Sequence, residues 1–218
     1  MIVPFFLGVM FVSMIQGMPI DAKGNMSAGF FDYFNLMSIV GGVAVVLLSY
    51  LHGLNYIALK TLGDIRERAR NYAEFLYWIL YVGLVVFAIL LFFKTDFFQV
   101  RPIGTLVTVV LIVLFSVLGH VATFKGNEMV AFISSGLTFV SLVAMIFVGM
   151  FPRVMISSIS DKFDLLINSA SSTSYTLTVM TIATVCLLPF VLAYTIWAYW
   201  IFRKRIALPA VQTSEVVK

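Results

Sequence analysis

Charge is scarce in this sequence: 11% of its 218 residues are Asp, Glu, Lys or Arg, against about a quarter in an ordinary soluble protein. A chain this poor in charge cannot cover a water-exposed surface, so a soluble domain with a large core is excluded. Cysteine is scarcer still. The single Cys186, set among Val185, Leu187 and Leu188, excludes an internal disulfide and a Cys-pair metal site, and reads as a small buried apolar residue. No P-loop, Rossmann fingerprint or Ser-His-Asp arrangement is visible. Although the net charge is +4, no basic run interleaved with aromatics is long enough to track a nucleic acid backbone, so no nucleic-acid partner is expected.

What is present is apolar length. Six runs free of Asp, Glu, Lys and Arg approach the roughly 20 residues that cross a hydrocarbon core of about 30 Å. They are 2–18, 36–59, 75–93, 103–124, 129–151 and 177–202. Continuous hydrophobicity over such lengths predicts helices rather than barrel strands. The expected fold is therefore all-α, a polytopic membrane bundle of six transmembrane helices forming one domain over 1–206, with a cytoplasmic tail at 207–218. The first run is short and carries Pro4, Gly8, Gln16 and Gly17. Without a positive n-region or a cleavage site it does not read as a signal peptide, and its start at Met1 reads as a cut boundary.

Loop charge gives the orientation. If the chain ends inside, the inner segments hold nine Lys or Arg and the outer ones five, with five acidic residues on each side, so the whole surplus of +4 lies on one face. By the positive-inside rule both termini are expected in the cytoplasm. The last helix closes with YTIWAYWIFRKR: Tyr194, Trp197, Tyr199 and Trp200 form an aromatic belt, and Arg203, Lys204 and Arg205 fix the inner end. In the inner segment KTLGDIRERARNY, Gly63 is expected to end the second helix, and Asp64 with Glu67 has capping-box spacing for a helix starting at Ile65. Arg66 and Arg70, four apart, share a face toward anionic headgroups.

Ionisable residues inside a membrane are the default markers of function, and the six runs contain only His52 and His120. Their depths differ by roughly 4 to 5 Å. Such a pair suits either axial ligation of one haem or neutral imidazoles hydrogen-bonded between helices, with Asn55 or Thr123 as local partners. Glu74 and Glu128 stand at the inner mouths of the third and fifth helices, as macrodipole partners or entry points for a cation. Gln16 is polar within the first helix and is expected to bond between helices. Gly41, Gly42, Ser49 and Gly53 on the second helix, and Ser134, Ser135, Gly136 and Ser141 on the fifth, offer close-packing faces. No catalytic residue and no metal site is expected in the chain itself.

Longer segments carry a resemblance. HGLNYIALKTLGDIRERAR (52–70), FPRVMISS (151–158) and NSASSTSYTLTVMTIATVCLLPFVLAYTIWAYWIFRKRI (168–206) resemble subunit II of cytochrome bd-type quinol oxidases, and FLGVMFVSMIQGMPI (6–20) resembles that family's fourth helix. Ser174 and Thr195 stand where the family pattern has proline and glutamine. By this resemblance the six expected helices look like the fourth through ninth of the family's about nine, and the resemblance places the family's acidic and polar intramembrane motifs on the first three, outside this sequence. The resemblance implies a bacterial inner-membrane terminal oxidase in which quinol is the substrate and oxygen is reduced to water. It places haem b and haem d on a partner, the haem-bearing subunit I of a heterodimer, and leaves room for a small accessory subunit and membrane lipid. This chain would then serve structure, assembly and access routes. A di-histidine membrane cytochrome b-like protein and a transporter permease subunit are the competing readings.

Overall fold

The computed structural model describes residues 1–202. The tail at 207–218 and the anchor residues Arg203, Lys204 and Arg205 lie outside the described residues. In chain order the elements are α1 (Ile2–Gln16), a 3-10 turn (Phe30–Tyr33), α2 (Leu36–Lys60), α3 (Asp64–Lys94), α4 (Phe97–Val100), α5 (Pro102–Phe124) and α6 (Glu128–Met150). Then come β1 (Arg153–Met155), a 3-10 turn (Asp161–Phe163), β2 (Leu165–Leu166), α7 (Ile167–Ala170) and α8 (Ser174–Ile201). Among the described residues five helices, α2, α3, α5, α6 and α8, are long and apolar enough to cross a membrane. Helix α1 is apolar but has 15 residues, about 22 Å of rise, short of a full hydrocarbon core.

Helices α2, α3, α5 and α6 form a closed ring in which each packs on two neighbours; α5 and α6 make the closest pair and α3 with α5 the loosest. Helix α1 lies against α2. Lipid is as apolar as leucine, so burial alone does not hold such helices together, and close backbone approach must supply dispersion contacts. Glycines permit it. A Cβ built on Gly8 would lie 2.7 Å from the Cα of Gly42, and one on Gly42 would lie 2.9 Å from Val9. Gly149 likewise leaves a notch filled by the ring of Phe97, which is fully buried. Gly53, by contrast, meets nothing within 4 Å, so it contributes no close contact among the described residues.

Helix α3 starts at Asp64, one residue before the helix start expected at Ile65 and well before the charge-free run that opens at Phe75, and it runs 31 residues as one helix, about 46 Å. Gly63, at φ 70°, is its N-cap, Asp64 is already helical, and Thr61 ends α2. The Asp64–Glu67 capping box is therefore not formed; both acids instead lie in the first turn, at the positive end of the helix dipole. Periodicity in charge-free runs misses this inner extension because it is polar on one face. Ala69 and Ala73 on the other face are buried.

At the end of the bundle that loop charge assigns to the outside, the two long loops lock together. Ile156 O accepts from Met18 N, Met18 O accepts from Ser158 N, both at 2.9 Å, and the Ser157 hydroxyl donates to Ile20 O at 2.9 Å. Strands β1 and β2 pair antiparallel. Arg153 holds Asp96 in a two-pronged pair at 2.7 and 2.8 Å and reaches Asp164 at 3.4 Å. These bonds, those from Asp96 foremost, raise the guanidinium above its usual value, and Asp164 also accepts from Ser157 N at 2.8 Å. Helix α8 is different: none of its residues is buried. Its described contacts to other helices sit at its C-terminal end, where Tyr199 meets Tyr56 edge-on at 6.4 Å and Lys60 Nζ donates to Phe202 O at 2.8 Å.

Candidate functional site, a polar seam in the inner half of the bundle

The half of the four-helix ring that loop charge assigns to the cytoplasmic side, the inner half in that expectation, is held by polar side chains from all four members. Asn55 of α2, 2% exposed, donates from Nδ2 to Tyr77 Oη of α3 and to Ala131 O of α6, each at 3.3 Å. Its Oδ1 accepts from Thr123 Oγ1 of α5 at 3.3 Å, a hydroxyl also 2.9 Å from Gly119 O. One amide thus ties four helices. The sequence picks out Asn55 and Thr123 as partners for histidines, whereas the structure bonds them to one another.

The two histidines lie on different seams. His52 sits between α2 and α6, with Nδ1 2.9 Å from Ser135 Oγ and its ring stacked on Phe132 at 4.4 Å. His120 sits between α3 and α5, with Nδ1 3.0 Å from Tyr81 Oη and its ring stacked on Tyr77 at 4.9 Å. Tyr77 and Asn55 occupy the core of the ring that the two seams flank. That arrangement fits hydrogen-bonding imidazoles, each anchored through Nδ1, rather than two ligands facing one haem plane. Among the described residues no group of three or more His, Cys, Asp and Glu is placed to hold a metal ion.

Tyr77, Tyr81 and Gly119 are members of the seam that sequence reasoning passes over. Their signal is nonetheless there: tyrosines four apart in an otherwise apolar run, opposite a Gly-His pair. Tyr77 is 2% exposed, and a Cβ built on Gly119 would lie 2.5 Å from its hydroxyl. Gly119 is therefore the notch that seats the tyrosine.

The cationic inner face is also tied into the protein. Arg66 Nε donates to Glu128 Oε1 at 2.8 Å, and Nη2 of the same guanidinium pairs with that oxygen. Glu128, at the start of α6, is 6% exposed. Arg70 donates to Thr123 O at 3.2 Å and Phe124 O at 3.1 Å, satisfying carbonyls at the C-terminus of α5. Glu74 lies ten residues into α3, not at the helix mouth, beside His120 and Trp78. Gln16, at the last position of α1, has a buried Oε1 with no hydrogen-bond partner among the described residues. Tyr194, Trp197, Tyr199 and Trp200 are exposed toward the inner end of α8.

Comparison with known proteins supplies what the geometry does not. The family model described as cytochrome bd terminal oxidase subunit II matches residues 1–202. Cytochrome bd ubiquinol oxidase subunit 2 of Bacillus subtilis (strain 168) is 44% identical over 207 residues, 95% of this chain and 61% of that protein. The probable cytochrome oxidase subunit 2 of Haemophilus influenzae is 28% identical over 88% of this chain and 59% of its own length. Cytochrome bd-I ubiquinol oxidase subunit 2 of Escherichia coli K12 is 25% identical over 90% of this chain and 61% of its own length. The chain thus spans about 60% of the length of the curated relatives it matches. By a match that runs through all the described residues, this chain belongs to the cytochrome bd terminal oxidase subunit II family.

Proposed function

We propose that this chain works as part of subunit II of a bd-type respiratory oxidase, an assembly that oxidises quinol and reduces oxygen to water in the bacterial inner membrane. The single observation that carries the reading is the family match over residues 1–202, supported by five helices able to cross a membrane. Haem b and haem d belong, in this reading, to the partner subunit I. The present residues do not fit a haem between His52 and His120, since each ring lies on its own seam with its own stacking partner.

The chain's own role is then structural. The Asn55–Tyr77–Thr123 ties fix the ring, and α8, with no buried residue, is the element that supports packing on further helices of the assembly. Both termini face the cytoplasm, in keeping with loop charge. Arg66, Arg70 and the aromatic residues of α8 anchor the inner interface, and Arg203, Lys204 and Arg205 complete the anchor. Membrane lipid surrounds the ring, and a small accessory subunit is accommodated without contributing ligands.

The test is co-purification. Co-expressed with a haem-bearing subunit I, the chain is expected in a stoichiometric complex with quinol oxidase activity; purified alone it is expected to show no Soret band. A stoichiometric haem on the isolated chain, lost in His52→Ala or His120→Ala, would instead establish a di-histidine cytochrome. Solute flux into liposomes containing only this chain would establish a permease.

A further inference from the structure

The α3–α5 seam, the loosest in the ring, packs the rings of Tyr77, Trp78, Tyr81 and His120 together. Tyr81 is half-buried, and among the described residues its hydroxyl meets one partner, His120 Nδ1, at 3.0 Å. A phenol left without an acceptor in apolar surroundings is costly. Tyr81 is therefore the donor, which makes His120 a neutral imidazole with its lone pair on Nδ1 and its proton on Nε2. Tyr77 is stacked on the same imidazole at 4.9 Å, yet its hydroxyl meets the Asn55 amide and Thr123, neither of which is a base. Trp78, 65% exposed within a helix able to cross a membrane, faces lipid and stands edge-on to Tyr81 at 6.0 Å and to His120 at 5.5 Å.

These contacts separate two tyrosines that are otherwise alike. A phenol that loses an electron becomes a strong acid, so in an apolar setting it is oxidised readily only where a base takes the proton in the same event. Such a transfer needs donor and acceptor within about 2.6–3.2 Å, which Tyr81 and His120 meet and Tyr77 does not. Glu74 lines the same groove as Trp78 and His120 and interacts electrostatically with the imidazole, so the charge of an imidazolium is balanced there. A one-electron oxidant that arises within lipid is the organic peroxyl radical, formed when oxygen adds to a carbon radical of an acyl chain.

We propose that Tyr81 and His120 form a redox-active pair that quenches organic peroxyl radicals in the surrounding lipid, with Trp78 as the contact through which the electron leaves. The electron passes from the Tyr81 ring to the radical, which becomes a peroxide anion; the Oη–H bond breaks and an Nδ1–H bond forms. The imidazolium then gives its Nε2 proton to the peroxide and returns to neutrality. One peroxyl radical and one phenol are consumed, and one hydroperoxide and one tyrosyl radical are produced. The pair needs no other subunit, so it stands apart from the assembly proposed above.

The test places the full chain in liposomes of linoleoyl lipid, generates peroxyl radicals with a lipid-soluble azo initiator under oxygen, and reads freeze-quenched samples by electron paramagnetic resonance. A tyrosyl signal is expected in the unmodified chain and in Tyr77→Phe. Tyr81→Phe and His120→Ala are each expected to lose at least about tenfold of it, since a positioned proton acceptor contributes about 10²–10⁴-fold. Added imidazole is expected to restore the signal in His120→Ala, which a merely structural histidine would not allow. No signal in the unmodified chain, an undiminished signal in Tyr81→Phe or His120→Ala, an equal loss in Tyr77→Phe, or no rescue by imidazole overturns the proposal. Where a variant does not fold, spin trapping on the unmodified chain with peptide mapping decides: an adduct chiefly on Tyr81 supports the pair, and equal or greater yield on other tyrosines overturns it.

Discussion

Gly119→Ala offers a direct test of the polar seam. The added methyl would sit 2.5 Å from Tyr77 Oη and 3.4 Å from Tyr77 Cζ, against an ordinary 3.5 Å from Ser134 Cβ. Tyr77 must therefore move, and it is 2% exposed, stacked on His120 and bonded to Asn55. Overpacking of this kind costs about 1–3 kcal/mol. Alanine is favoured over glycine within a helix by about 1 kcal/mol, so the net loss is expected near 1–2 kcal/mol. Tyr77→Phe alone forfeits one interhelical hydrogen bond, worth about 0.6 kcal/mol on average in a membrane protein.

The double variant is the discriminating one, because Tyr77→Phe deletes the very atom that the methyl strikes. Gly119→Ala with Tyr77→Phe is expected to be more stable than the sum of the single losses by about 1 kcal/mol, within the range for residues in contact. Unfolding in mixed dodecylmaltoside and SDS micelles, followed by far-UV circular dichroism, measures all four corners of the cycle. Strict additivity would refute the reasoning, since it would mean the methyl and the hydroxyl do not meet.

On the outer side, Asp164→Ala should loosen the loop cap, because it removes a partner of Arg153 and leaves Ser157 N without its acceptor; an unsatisfied buried donor costs about 1–3 kcal/mol, and limited proteolysis between 152 and 173 should accelerate. Gly42→Val is expected to push α1 off α2, since even a Cβ there lies 2.9 Å from Val9; a disulfide between cysteines placed across that pair would then form slowly or not at all. For orientation, cysteines replacing Lys23 or Lys162 should label with a membrane-impermeant maleimide in intact spheroplasts, and cysteines replacing Arg68 or Lys125 only after permeabilisation. The reverse pattern would invert the topology.

The membrane-spanning helices are legible in the sequence because a hydrocarbon core imposes length and polarity on each span separately. The charge-free run 129–151 is α6 to within a residue at each end, and 36–59 is α2 to within one. Apolar length alone does not mark the start of α3, which the Gly63–Asp64 signal places to within a residue: a helix that leaves the membrane is no longer bound to be apolar, and Arg66 and Arg70 of its first turns reach α6 and the end of α5. Small-residue patterns find Gly41 and Gly42 but also Gly53, because spacing does not say which face has a neighbour.

The sequence by itself determined the solvent, the class of fold and, through resemblance, the family, since composition and long motifs need no knowledge of contacts. Only the tertiary structure decided who meets whom. Asn55 ties four helices, His52 and His120 part onto separate seams, and Tyr77 rests in the notch of Gly119. Those outcomes depend on the relative rotation of packed helices, which an apolar run hardly encodes, because lipid-facing and helix-facing surfaces are made of the same residues.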